Sequence, residues 1–375
     1  MINQFFNKNK FILLFNVGVI TIFFYATEII TGIYMDNLWM QNNMKFLSHP
    51  CTKEIANKKA EHYNILQEIS GKTHFYHVKG ISVPQDYSGE YVNYKNMLRK
   101  TCNKNIKNSV QIAVFGGSTI EGVNVSDCET IPSLLNKETN SKIVNYGHRS
   151  HATVHHVNAI QDIYQYDKEF NESDILIFID GINDLVYDMG FKFSKFDTPK
   201  LSLLESTNMF KFIKLMIDKN VKINLSLFFN KPKIEVDGEC KSGKAIPTSF
   251  IGKDEPETMA KEIAKRMIEH YKMIQTYCDT NQKTCLFFIQ PTPFNNGSVP
   301  YKFYDTSGTF NELQVNYFNI FSKEAIKLGR ENKLKIIDLG SLLDNVEDAY
   351  VDKIHYSKKA SAIISNAVAE SLKVK

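Results

Sequence analysis

The sequence predicts an α/β fold of the flavodoxin-like kind: a three-layer sandwich around a five-stranded parallel sheet, preceded by an N-terminal transmembrane helix. Three observations predict it. Five short apolar runs alternate with stretches of helical period. Those runs are largely apolar, as strands covered on both faces are. The chain also opens on a long apolar stretch with a single charge.

That opening stretch runs from Phe11 to Met35, with Lys8 and Lys10 before it and Glu28 as its one charge. A membrane span needs about 20 apolar residues. Lysines ahead of the run place residue 1 in the cytoplasm and the rest outside. Residues 1–35 are therefore read as cytoplasmic tip and signal-anchor. A cleaved signal peptide and a buried N-terminal helix are the rival readings; no A-x-A-like site comes after the run. Residues 36–108 are polar and weakly periodic, a membrane-proximal segment that partly packs on the main domain.

The regular pattern begins near residue 109 and continues to 375. "VQIAVF" (Val110–Phe115) is the first strand. A helix follows Thr130, with Pro132 tolerated in its first turn. "KIVNY" (Lys142–Tyr146) is the second strand, and Val154, Val157, Ile160 and Ile163 then recur at near-helical spacing. "DILIFID" (Asp174–Asp180) is the third strand. Residues 186–256 break the alternation and read as an insertion. A helix from about Glu257 to Tyr277 leads to the fourth strand, "TCLFFIQP" (Thr284–Pro291). A further helix over about Phe310–Arg330 leads to the fifth, "LKIIDL" (Leu334–Leu339), and the last helix covers about Ser357–Leu372.

Composition narrows the function. The net charge is +4 over 375 residues, and no basic stripe is interleaved with aromatics, which excludes a nucleic-acid partner. The six cysteines form no C-x-x-C pair, so zinc and thioredoxin-like sites are unsupported; scattered thiols and one or two disulfides both stay open. No cofactor is implied. "HATVH" (His151–His155) has the i, i+4 spacing of a zinc helix, but Ala152 stands where the catalytic Glu would be. With His148 and His156 it reads instead as a polar helix start facing solvent or the crevice.

In such sheets ligands sit beyond the carboxyl ends of the strands. Ser118 follows Gly116 and Gly117 after the first strand. Gly147 follows the second, with an N–H expected to be free for an anion. Asn183, in "DGIND" with Gly181, follows the third and offers a neutral amide donor. Asp184 beside it is expected to brace its own turn. Asp352 and His355, in "DKIH", follow the fifth. The set comprises a nucleophile, a base with an orienting carboxylate, and oxyanion donors, which acyl transfer requires.

These four blocks, in this order, resemble those of the SGNH (GDSL-type) hydrolases over about residues 110–375, the insertion apart. The resemblance implies a serine esterase with Ser118 as nucleophile, His355 as base and Asp352 orienting it. The Ser118 N–H, the Gly147 N–H and the Asn183 amide would form the oxyanion hole. The first block reads Gly-Gly-Ser-Thr where the family carries Gly-Asp-Ser-Leu. That variant also occurs in membrane-linked members acting on cell-surface glycans. The expected substrate is thus an O-acyl, above all O-acetyl, group on an extracytoplasmic glycan, or a small ester, with the membrane contacted through the N-terminal helix. Transfer of the acyl group to a polysaccharide, and a catalytically silent glycan-binding or assembly role, are the alternatives.

Overall fold

The computed structural model describes residues 81–103, 106–107, 109–185, 256–292, 312–346, 349–351 and 354–373. It also describes Ala26, Ile30, Asn64, Ile65, Glu68, Ile69 and the strand Phe75–Val78. Contacts divide the chain into two compact units, Met1–Ser48 with Lys200–Asp237, and His49–Pro199 with Gly238–Lys375. The second unit contains the strands and the candidate site residues.

Its strands are β1 (Phe75–Val78), β2 (Ile81–Pro84), β3 (Tyr87–Ser88), β4 (Asn93–Lys95), β5 (Leu98–Arg99), β6 (Gln111–Gly116), β7 (Lys142–Gly147), β8 (Ile175–Asp180), β9 (Thr284–Ile289) and β10 (Ile336–Asp338). Its helices are α1 (Ser118–Glu121), α2 (Ile131–Thr139), α3 (Thr153–Asp162), α4 (Lys168–Asn171), α5 (Pro256–Thr280), α6 (Glu312–Glu331) and α7 (Lys358–Lys373). β1 and β2 pair as an antiparallel hairpin.

The other strands form one sheet in the order β10-β9-β8-β6-β7-β5-β4-β3. β6 to β10 are parallel, and they are the five strands expected from sequence, in flavodoxin-like order. The expectation of a five-stranded sheet is corrected: three antiparallel strands extend it beyond β7, so the sheet is mixed and eight-stranded. β3, β4 and β5 are two or three residues long and rich in polar side chains, too short for any periodicity to register.

Buried side chains add to the backbone pairing of this extension. β5 meets β7 at the single pair Arg99↔Asn145. Arg99 is 2% exposed; its Nε donates to Asp127 Oδ1 at 2.7 Å, and its Nη groups donate to the carbonyls of Gly122 and Val125 at 3.0 and 2.8 Å. Asn93 closes the same carboxylate, donating to Asp127 Oδ2 at 2.8 Å. A Cys102–Cys128 disulfide ties the chain after β5 to the turn before α2. A second disulfide joins Cys278 to Cys285, and Cys51 and Cys240 lie outside the described residues.

Side-chain alternation along the strands separates two cores. Ala113 and Phe115 of β6, with Leu176 and Phe178 of β8, pack under α3, α5 and α6. Ile112, Val114, Ile175, Ile177 and Ile179 face the other way, under α2 and α7. α2 starts where Thr130 caps it, accepting the Ser133 N–H, with Pro132 in the first turn.

Among the described residues no helix is long and apolar enough to cross a membrane. The expected transmembrane run Phe11–Met35 lies outside the described residues apart from Ala26 and Ile30, both helical and exposed. The expected insertion at 186–256 also lies outside them, save Pro256, the first residue of α5.

Candidate active site

From β6 the chain runs to β7 on one side and then crosses to β8 on the other. The crevice of such a sheet opens between the carboxyl ends of the two strands where the order reverses, here β6 and β8. Ser118 follows β6 and Asn183 follows β8.

Ser118 opens α1, so its N–H has no acceptor within that helix. Its Oγ lies 2.8 Å from His355 Nε2, across 237 residues of sequence. His355 sits on a tight loop closed by the Tyr350↔Tyr356 bridge and by the Val351 N–H on the His355 carbonyl at 2.9 Å. Tyr356 fixes that loop to the end of β9: its hydroxyl donates to the Pro291 carbonyl at 2.8 Å and accepts from Gln290 Nε2 at 3.3 Å. Asp352 lies outside the described residues.

Asn183 lies beside the turn that carries Ser118. A Cβ on Gly117 would fall 2.0 Å from Asn183 Nδ2, so only glycine lets the amide approach here. One Asn183 amide hydrogen goes to the His151 carbonyl, at 2.7 Å. A primary amide carries two donors, so the group has a second to offer a ligand.

The expectation that the Gly147 N–H is free is corrected. It donates to Asn145 Oδ1 at 2.9 Å. The same Asn145 side chain donates from Nδ2 to the Ile120 carbonyl at 3.1 Å, so it staples the end of β7 to α1. What Gly147 contributes is clearance: a Cβ there would lie 2.4 Å from the Glu121 nitrogen. Sequence reasoning passed over Asn145; its signal was an amide inside an otherwise apolar strand.

Of the two settings expected for the histidine cluster, solvent and crevice, the solvent one is corrected. His148, His151 and His156 are buried rather than facing solvent. Tertiary contacts with other segments hold two of these rings. His148 Nε2 meets the Tyr164 hydroxyl at 2.9 Å. His156 Nε2 lies 3.0 Å from Asp180 Oδ1, and Tyr271 of α5 donates to Asp180 Oδ2 at 3.2 Å. Burial pushes His148 down to about 3 and His155 and His270 down to about 4. Among the described residues no cluster of His, Cys, Asp or Glu has the arrangement of a metal site.

Asp184 reaches beyond its own turn to the start of α3. Its Oδ1 accepts the Thr153 N–H at 3.1 Å and the Thr153 hydroxyl at 2.5 Å. It thereby caps α3, whose own cap residue, Ala152, has no oxygen to offer. Asn183 and Asp184 together hold the turn after β8 against residues 151–153.

No protein-family model matches the chain, and no curated protein matches it. Among solved structures, it is similar to a G-D-S-L family lipolytic protein from Desulfitobacterium hafniense at 11% identity. That alignment covers 70% of this chain and 99% of the other, with a TM-score of 0.39. A G-D-S-L family lipolytic protein from Veillonella parvula gives 11% identity over 71% and 100%, with a TM-score of 0.40. Est24, a carbohydrate acetylesterase from Sinorhizobium meliloti, gives 12% over 70% and 98%, with a TM-score of 0.40. Likeness at these scores decides nothing about activity.

Proposed function

We propose that this chain is a membrane-anchored serine esterase of the SGNH type. It removes O-acyl, above all O-acetyl, groups from a glycan outside the cytoplasm. The observation that carries the reading is the 2.8 Å contact between Ser118 Oγ and His355 Nε2 at the rim of the sheet. A buried serine hydroxyl against an imidazole is the arrangement of an activated nucleophile.

His355 takes the Ser118 proton as Oγ attacks the ester carbonyl. The tetrahedral oxyanion is met by the Ser118 N–H and the second Asn183 amide hydrogen. Each such donor contributes about 3 kcal/mol to the transition state. His355 then gives its proton to the leaving alcohol oxygen, and the acyl group stays on Ser118. Water, deprotonated by His355, releases the acid and restores the serine. Asp352, three residues before His355 in the sequence, is the carboxylate assigned to orient the imidazole and steady its charged form.

Two disulfides among the described residues support an oxidising compartment. The apolar run Phe11–Met35, with lysines ahead of it, supports an anchor with the enzyme outside. The glycan rests on that location and on the Gly-Gly-Ser-Thr form of the first block.

Ser118→Ala should abolish hydrolysis of a small aryl acetate while leaving the circular dichroism spectrum unchanged. Activity near wild type in the folded variant would sink the assignment. Adding a glycan acceptor separates hydrolysis from transfer: turnover that depends on the acceptor would assign an O-acyltransferase.

A further inference from the structure

The turn between β7 and α3 is held in an unfavourable shape. The His151 N–H bonds back to the His148 carbonyl at 3.2 Å, closing a four-residue turn. Its third residue, Ser150, has a φ of +59°, which glycine adopts freely and a serine does not. The local sequence therefore does not favour this turn, and something else must hold it.

The turn's second residue is Arg149, and its side chain reaches three separate elements. Nε donates to Glu121 Oε1 at 3.0 Å, Nη2 to the Tyr94 hydroxyl at 3.2 Å, and Nη1 to the Ile69 carbonyl at 3.3 Å. Glu121 is the last residue of α1, whose first is Ser118, and its side chain is fully buried. Tyr94, on β4, donates to the same Glu121 oxygen. Glu121 lowers the energy of the charged guanidinium and raises its pKa against the opposing effect of burial.

The far side of the turn carries the second connection. Its last residue, His151, offers the carbonyl that fixes the Asn183 amide. A continuous path therefore runs from α1 through Glu121, Arg149 and the His151 carbonyl to Asn183. It ties the nucleophile's helix to the oxyanion donor without touching either Ser118 Oγ or His355.

We propose that Arg149 is a positioning residue for the reaction. Its ion pair with Glu121 holds the strained 148–151 turn in the shape that keeps the Asn183 amide beside Ser118. This rests on the esterase reading. Lysine cannot replace it, because a single ammonium does not span three acceptors in a fixed plane.

The test compares full-length wild type, Arg149→Met, Arg149→Lys and the double variant Arg149→Met with Ser150→Gly on an aryl acetate. Losing an oxyanion donor outright costs about 10² to 10³ in kcat. A displaced donor should cost part of that, so kcat of Arg149→Met should fall roughly tenfold to a hundredfold. KM should move less than about threefold, and the pH midpoint of kcat/KM should stay put, because the Ser118–His355 contact is untouched. Adding Ser150→Gly should recover at least about threefold of the lost kcat, since glycine accepts the turn without the anchor. Loss of global stability alone would not give that selective recovery in folded protein.

A folded Arg149→Met with wild-type kcat overturns the proposal, as does a loss that Ser150→Gly leaves unrelieved. If Arg149→Met does not fold, Arg149→Lys carries the test, and wild-type kcat there overturns it. A fluorophosphonate probe on wild type separates the two failures. Unlabelled, inactive wild type sinks the esterase reading; labelled, active wild type with an indifferent Arg149 sinks the positioning role alone.

Discussion

Lowering the pH from about 6 to about 5 should weaken the fold measurably, through three histidines that folding keeps neutral. His148 is held down to about 3, and His155 and His270 to about 4, against an ordinary 6.5, with burial the main cause in each. Because the folded pKa lies below the unfolded one, the unfolded chain binds more protons between them. Stability therefore falls as the pH drops below 6.5, and the loss is complete only at the folded pKa of about 3 or 4. For one fully buried ring, the step from about pH 6 to about pH 5 costs about 1 kcal/mol. His148 takes the full value; His155 and His270 are partly exposed and count for roughly half each, giving about 2 kcal/mol in all. Urea unfolding at the two pH values reads this as a lower midpoint at constant slope. His148→Gln, which cannot titrate, should remove about one proton from the pH dependence. Equal midpoints at both pH values would refute the reasoning. So would a His148→Gln variant with an undiminished pH slope.

Arg99→Met should destabilise the chain by about 3–5 kcal/mol in the same assay, because it strands the buried Asp127 carboxylate and the carbonyls of Gly122 and Val125. A loss below about 1 kcal/mol would show that the antiparallel extension does not depend on this side chain. Replacing Cys102 and Cys128 together by serine opens a loop of sequence separation 26 and should cost about 3.5 kcal/mol by chain entropy. An unchanged thermal midpoint would mean that the pair is reduced in the native protein.

The parallel core was legible because a strand buried on both faces is apolar at nearly every position, and a helix covering a sheet must be apolar on one side. "DILIFID" and the period of the residues after Gly147 state both conditions locally. Ser118, Asn183 and His355 could be assigned to one rim because each follows a strand, and the carboxyl ends of parallel strands share an edge. β3, β4 and β5 escaped notice because two or three residues hold no periodicity, and the side-chain contact at their edge, Arg99 on Asp127, joins residues 28 apart. The Gly147 N–H was misjudged because its acceptor, Asn145, differs from a core residue only by one polar side chain.

The sequence by itself determined which residues could form strands and which chemical groups would lie at their ends. These follow from local patterns of hydrophobicity and from the shared edge at which parallel strands place their carboxyl ends. Only the tertiary structure decided how those groups are held. The loop bearing His355 is tied by Tyr356 to Pro291, Asn183 is held by a carbonyl 32 residues earlier, and the turn bearing that carbonyl is held by an ion pair to α1. Such contacts join groups far apart in the chain, and their strength depends on burial and distances that no local pattern encodes.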